Sequence, residues 1–355
     1  MSFAVKLMNW YRENGRDLPW RNTQNPYVIW LSEIILQQTR VEQGMPYFHR
    51  FLEAFPIVTK FAAAEEEEIL RLWQGLGYYS RARNMHKAAK MVVDEYGGQF
   101  PTSYAEVIRL AGVGEYTAAA ISSFSANEAK AVVDGNVYRV LSRYFGIDEP
   151  INGSKGKKVF AEIAGEMLDL DNAATYNQAI MDFGALQCKP KSPRCETCIF
   201  QLECVANRAG IVDKLPVKLK GRASKNRYFH YFIVQSDDRI LMSKRGETDV
   251  WANLYEFPLI ETEQDFMLEE LAQTPLFSEY FEETARFTPL GNMTKHILSH
   301  QNIYARFYLL QDAQSLRTKK SNWNYFFVEK IDTLAKHKLI FSFLEKNKQL
   351  INPKF

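Results

Sequence analysis

Apolar residues recur at three- and four-residue spacing in segments such as AEEEEILRLWQGL (64–76) and TYNQAIMDFGALQC (175–188). That spacing predicts successive helices joined by short loops up to about residue 205. Within SEIILQQTRV (32–41), a turn of about 100° per residue places Trp30, Glu33 and Gln37 along one stripe, with Leu31, Ile34, Ile35 and Gln38 on the neighbouring arcs. Glu33 is therefore a carboxylate expected among apolar neighbours. Past residue 227 the pattern becomes that of strands: YFHYFIVQ and RILMSK flank the turn residues SDD, and Ile303, Ala305, Phe307 and Leu309 alternate with polar positions. The closing segment DTLAKHKLIFSFLEKNKQLI is apolar at helical spacing and is expected to pack on that sheet. Between the two halves, GIVDKLPVKLKGRASKNR (210–227) mixes glycine, proline and basic residues with little periodicity and reads as a linker. No internal repeat or low-complexity tract is evident.

Composition adds bounds. With 355 residues, 46% of them hydrophobic, the chain can bury a sizeable core and suggests about two domains. A net charge of +2 demands no anionic partner, although it leaves room for a local basic face. The N-terminus lacks the pattern of a signal peptide and no apolar run approaches a membrane span, so a cytoplasmic protein with no membrane partner is expected, nucleoid-associated if bacterial.

All four cysteines lie between 188 and 204, a distribution that suits a metal better than disulfides spread along the chain. Cys188, Cys195, Cys198 and Cys204 place four thiolates on one loop, which can bind zinc or an iron-sulfur cluster. Lys189, Lys191 and Arg194 within that loop could meet phosphates, or be a solvated basic surface. In LAGVGEYTAAAI (110–121), Gly112 and Gly114 allow a tight turn and close approach of backbone to a phosphate, although many helix-to-helix turns use glycine for geometry alone. In VVDGNVYRVLSR (132–143), Asp134 stands before a new helical pattern, where it could be an N-cap, a catalytic carboxylate or both.

The cysteine spacing resembles the cluster loop of the endonuclease III and adenine DNA glycosylase superfamily, which implies a 4Fe-4S cluster. With the glycine hairpin and VDGNV, the first 205 residues or so resemble the helix-hairpin-helix DNA glycosylases. DLPWR (17–21), SEIILQQTRV and GLGYYSRARN (75–84) are more specific and resemble the adenine DNA glycosylase family, also called MutY. WANLYEFP (251–258), after ILMSKR, resembles that family's Nudix-related C-terminal domain. The expected architecture is a mainly α, two-part helix-hairpin-helix glycosylase domain carrying the iron-sulfur cluster loop (1–209), a linker (210–227) and an α+β Nudix-like domain (228–355).

The resemblance implies roles. Glu33 protonates the extruded adenine and helps activate water, Asp134 stabilises the sugar cation, and Tyr116 and Asn136 complete the catalytic pocket. Trp20, Arg21, Leu36 and Val41 surround the adenine, while Tyr78 enters the base stack beside Gln38, Thr39 and Leu76, with Gln38 reading the opposite base. Members that also cleave the strand carry a Schiff-base lysine at the position of Tyr116, so a monofunctional glycosylase is expected. In the C-terminal domain a Phe-Ser-His motif reads 8-oxoguanine opposite the adenine; here Leu298, Ser299 and His300 stand there, and leucine removes the ring. The segment LIETEQDFMLEELAQ (259–273) lacks the glycine and arginine of a pyrophosphatase helix, so recognition without pyrophosphate hydrolysis is expected. The implied partner is double-stranded DNA with adenine opposite 8-oxoguanine or guanine, bound by a monomer. Two rivals are a non-catalytic DNA-binding module with a structural metal, which gives Glu33 and Asp134 no purpose, and an oxidised-pyrimidine lyase, against which Tyr116 and the second domain argue.

Overall fold

The computed structural model describes residues 1–221, 224–347 and 349. The chain separates into two compact units, one built from Met1–Ala64 with Arg83–Lys220, the other from Glu65–Ala82 with the residues from Gly221 onward.

The helices of the first part of the chain are α1 (Phe3–Asn14), α2 (Pro26–Leu36), α3 (Val41–Ala54), α4 (Val58–Ala63), α5 (Glu66–Leu72), α6 (Ser80–Tyr96), α7 (Tyr104–Val107), α8 (Glu115–Ala126), α9 (Gly135–Phe145), α10 (Ser154–Met167), α11 (Ala173–Leu186) and α12 (Val205–Arg208). Of these, α5 belongs to the second unit. In the first unit one core joins α1, α9, α10 and α11 through Leu7, Leu141, Phe160 and Phe183. Helix α2 carries Ile29, Trp30, Leu31 and Ile35, all nearly inaccessible to solvent. Gly44 of α3 lets that helix approach α2 closely, since an added Cβ would lie 2.6 Å from Leu36 Cδ2.

The helix expected through SEIILQQTRV stops at Leu36. Gln37 caps it, and Gln38 takes a left-handed backbone, φ 56°. Both glutamines favour helix locally, so tertiary context sets this end. The expected linker is partly engaged: Ile151 N–H bonds Val217 O at 3.0 Å, Arg143 Nε bonds the carbonyls of Val212 and Leu215, and Lys225 already belongs to a strand.

In the second unit the strands are β1 (Lys225–Ile233), β2 (Gln235–Ser236), β3 (Arg239–Lys244), β4 (Tyr255–Glu256), β5 (Leu259–Thr262), β6 (Phe287–Pro289), β7 (Thr294–Ile297), β8 (Gln301–Leu310) and β9 (Trp323–Phe327). One sheet runs β5-β1-β8-β6 with β7 also on β8; the other runs β2-β3-β4 with β9 on β3. Strands β1 and β8 are parallel, from Lys225 opposite Gln301 to Ile233 opposite Leu309. Helices α13 (Leu268–Leu271), α14 (Pro275–Ser278) and α15 (Lys338–Lys346) complete the unit. Helix α15 packs on the first sheet by stacking Phe343 on Phe307, centroids 3.9 Å apart. The alternation expected in β8 holds for Ile303, Ala305 and Phe307 but not at its end, where Tyr308 and Leu310 are buried and Leu309 is half-exposed. Tyr308 and Leu310 meet a separate cluster with Phe232, Phe277 and Phe281, so this part of the sheet is covered on both faces.

Candidate active site

Glu33 sits on α2 with 8% of its surface exposed. Its Oε2 accepts a 2.8 Å hydrogen bond from Tyr116 OH, which projects from the first turn of α8. Burial pushes the Glu33 carboxyl up to about 7; the Tyr116 bond opposes this, nearby Asp134 adds to it, and Arg21 draws it back. Tyr116 itself is raised well above its ordinary value by burial, with the Glu33 charge contributing. A carboxyl poised near neutrality beside a phenol that stays protonated can deliver a proton and accept one back.

Asp134 is the N-cap of α9: its Oδ1 accepts from the backbone N–H groups of Asn136 and Val137, each at 2.8 Å, and its Oδ2 accepts from Asn136 Nδ2 at 2.6 Å. Burial raises its pKa above the ordinary carboxylate value, opposed by those hydrogen bonds and by Arg139. Both roles considered for this residue are thus geometrically compatible. Asn136 Oδ1 in turn accepts from Arg139 Nη2 at 2.8 Å. That same guanidinium bonds Gly184 O and Cys188 O, each at 2.7 Å, so a buried arginine ties this end of the site to the first cysteine of the loop. Gly184 is itself a requirement, because a Cβ there would lie 2.6 Å from Asn136 Cβ.

Two cavities share Glu33, Leu36, Tyr116 and Asp134 as lining residues. One, about 420 Å³, is also lined by Trp20, Arg21, Thr39, Val41 and Asn136, which brings the residues expected around the base to the two carboxylates. The other, about 1030 Å³, reaches Gln38, Gly114 and Lys130. Arg21 is held by Asp182 of α11, which is fully buried and accepts from Arg21 Nη2 at 2.7 Å, Arg16 Nε at 2.8 Å and Arg16 N at 2.9 Å. Burial alone would raise the Asp182 carboxyl, but its arginine partners hold it below the ordinary value. The residues missed in the sequence are Asp182, Arg16, Arg139 and Gly184, together with Gln178, which lines the smaller cavity and accepts from Tyr11 OH at 2.9 Å. No local pattern marks an ion pair spanning 166 residues.

The hairpin lies between α7 and α8. Gly112 has φ 75° and an added Cβ would meet Asn84 Cβ at 2.6 Å, whereas Gly114, the N-cap of α8, has open space where a Cβ would be. Internal packing thus explains Gly112 but not Gly114.

The four cysteines line one cavity and none forms a disulfide. Arg143 Nη1 lies 3.4 Å from Cys188 Sγ, and Phe200 N–H points at Cys198 Sγ at the same distance. Burial pushes the Cys198 thiol up to about 11 and raises Cys195 and Cys204 too. Four soft sulfur donors on one loop are a donor set whose chemistry fits a metal centre.

In the second unit, Ser299 and His300 are exposed in the turn joining β7 to β8, Leu298 is half-buried, and Tyr78 OH lies 2.9 Å from Ser299 Oγ in a shared hydrogen bond. Tyr78 is 46% exposed, while Leu76 is buried.

Residues 31–165 match the family described as HhH-GPD superfamily base excision DNA repair protein, and residues 230–346 match the NUDIX domain. The helical unit with its hairpin thus belongs to a class of base-excision repair proteins, joined to a NUDIX-like domain. The adenine DNA glycosylase of Buchnera aphidicola from Baizongia pistaciae is 34% identical over 318 residues, 85% of this chain and 84% of that protein. That of Buchnera aphidicola from Acyrthosiphon pisum is 34% identical over 267 residues, 75% of this chain and 76% of that protein. A solved thermostable thymine-DNA glycosylase, 29% identical, covers 58% of this chain and 95% of its own, with a TM-score of 0.55. This chain belongs to the adenine DNA glycosylase family.

Proposed function

We propose that this adenine DNA glycosylase of base excision repair hydrolyses the N-glycosidic bond of adenine mispaired with 8-oxoguanine or guanine, without cleaving the strand. The observation that carries the chemistry is the buried Glu33 carboxyl, raised to about 7, sharing a cavity with Asp134. The adenine is extruded from the duplex into that cavity, among Trp20, Arg21, Leu36 and Val41. Glu33 gives its proton to a ring nitrogen, the bond from the sugar C1′ to the base breaks with its electron pair leaving on adenine, and positive charge develops on the deoxyribose. The Asp134 carboxylate stabilises that cation, and Asn136 and Arg139 hold Asp134 in place. Glu33, now ionised, takes a proton from the attacking water, aided by Tyr116. Tyr116 offers no amine, so no Schiff base forms through this position.

Gly112 and Gly114 carry the DNA backbone at the hairpin, where the open space beside Gly114 suits a phosphate. Gln38, Thr39, Leu76 and Tyr78 engage the base stack, and Ser299 and His300 read the damaged base opposite adenine. Cys188, Cys195, Cys198 and Cys204 would hold a 4Fe-4S cluster, whose iron–thiolate bonds would cross-link the loop. The protein acts as a monomer.

The test is single-turnover reaction of duplexes carrying adenine opposite 8-oxoguanine, guanine or thymine, and one with an oxidised pyrimidine, each developed with and without alkali. The proposal predicts breaks only after alkali, at adenine, fastest opposite 8-oxoguanine. Alkali-independent cutting at the pyrimidine would overturn it.

A further inference from the structure

Residues Glu65–Ala82 interrupt the helical unit in sequence yet are compact with the C-terminal unit. Their attachment is specific. Gln74 Oε1 accepts from Lys336 N at 3.0 Å, and Tyr79 OH donates to Lys336 O at 3.0 Å, so two side chains grip both polar groups of one buried residue's backbone. At the start of the segment, Glu66 Oε1 accepts from Asn253 Nδ2 at 2.8 Å. Between these anchors the chain turns through Gly75 (φ 94°) and Gly77 (φ 82°). Trp73 Nε1 bonds Gly77 O at 2.8 Å, and Gly75 N bonds the hydroxyl of Tyr79 at 3.3 Å.

The turn delivers Tyr78 in a left-handed conformation, φ 49°, which a side-chain-bearing residue keeps only when its surroundings enforce it. The Arg81 guanidinium lies 5.6 Å from the Tyr78 ring centroid and 5.0 Å from that of Trp73. The Tyr78 hydroxyl ends at Ser299. Ser299 follows β7, and β7 is braced in turn where His296 packs on Trp251, centroids 5.6 Å apart. Trp251 and Asn253, two residues of one loop, therefore brace the Ser299 hairpin and the Tyr78 segment respectively.

We propose that Glu65–Ala82 works as part of the C-terminal recognition unit, with Gln74 and Tyr79 as positioning residues that clamp the Lys336 backbone and so hold Tyr78 against Ser299 as one preset reader of the strand opposite adenine. The proposal rests on the assignment of Tyr78 and Ser299 to opposite-base recognition. Recognition then depends on two residues that lie outside the reading surface. The ligand is a duplex whose purine opposite adenine carries an added polar group on its ring, with Tyr78 occupying the stack and Ser299 offering its hydroxyl.

The experiment uses the full chain with Y79F and Q74L, and with Q74E as the conservative variant that keeps an acceptor for Lys336 N–H. Single-turnover excision is measured opposite 8-oxoguanine and opposite guanine, with hydrogen exchange of the free protein in parallel. Y79F and Q74L are expected to lower the ratio of the two rates about three- to tenfold, the effect of one lost hydrogen bond, leave the rate opposite guanine unchanged, and loosen residues 75–82 and 294–300 but not α8 or α9. Q74E restores the ratio. Unchanged protection of both segments in Y79F and Q74L would overturn the proposal whatever the activity, as would an unchanged rate ratio where the unaltered chain prefers 8-oxoguanine. An unaltered chain with equal rates opposite the two bases would instead contradict the assignment of the reading residues, and the exchange data alone would then decide the clamp.

Discussion

Two regions of the chain, the surroundings of Glu33 and those of Tyr78 and Ser299, are built by opposite means. Around Glu33 the polar groups are withdrawn from water and held by partners, two of them from distant helices, Tyr116 on the carboxyl and Asp182 on Arg21, and one from the same helix, Arg139 on Asn136. Around Tyr78 and Ser299 the groups are exposed, and it is the backbone that is constrained, through a left-handed tyrosine and a clamped segment. Burial tunes an acid, because it raises the free energy of the charged form. Exposure with a fixed backbone leaves a surface ready for a partner, with little ordering left to do on binding.

On that contrast the largest effects come from the buried side. E33Q removes the proton donor and is expected to lower single-turnover excision by about 10³-fold or more while leaving duplex affinity near that of the parent. The same change should raise stability at neutral pH. The Glu33 carboxyl is raised when folded, so its contribution to stability is full below the unfolded value and declines as pH rises towards about 7. The neutral amide escapes that decline, a gain of at most about 3 kcal/mol, measurable by denaturant unfolding at pH 5 and pH 8. Next in size, D134N separates capping from chemistry. Asparagine caps helices as well as aspartate does, so thermal stability should hold while excision falls about 10²- to 10³-fold through the lost charge. Equal losses of stability and rate would reduce Asp134 to a cap.

G184A probes the support behind Asn136. Its Cβ would lie 2.6 Å from Asn136 Cβ, and relief of that clash is expected to cost about 1–3 kcal/mol of stability with a fall in rate through displaced Asn136. The smallest effect belongs to the exposed side: S299A should leave excision opposite guanine intact and reduce the preference for 8-oxoguanine about two- to tenfold, the range of one hydrogen bond. A larger loss opposite guanine than opposite 8-oxoguanine would reverse the comparison.

The buried side was also the more legible in the sequence. Glu33 stands out because a carboxylate in an apolar helix is rare enough to ask for a reason, and Asp134 because it precedes a Gly-Asn start of a helix. What supports them was not legible. Asp182 meets Arg16 and Arg21 across most of the helical unit, and Arg139 reads as an ordinary helix residue until its four carbonyl and amide partners are seen. Periodicity reports which face of an element is covered, not which distant segment covers it. For the same reason α5 and the turn after it read as one more piece of the helical domain, although their partners are Lys336 and Asn253. The end of α2 falls earlier than the local preference of Gln37 and Gln38 for helix implies, with Gln37 as its cap and Gln38 in a left-handed backbone.

The measurement that bears most directly on the central claim, a buried Glu33 acting as the acid, is the pH dependence of single-turnover adenine excision for the parent chain and for Y116F. The parent rate should fall as pH rises through about 7, where Glu33 loses its proton. Since the Tyr116 hydroxyl favours the ionised carboxyl, removing it should carry this alkaline limb to higher pH while lowering the maximum rate. A parent rate that stays level from pH 5 to about pH 9, or a limb that does not move in Y116F, would contradict the assignment.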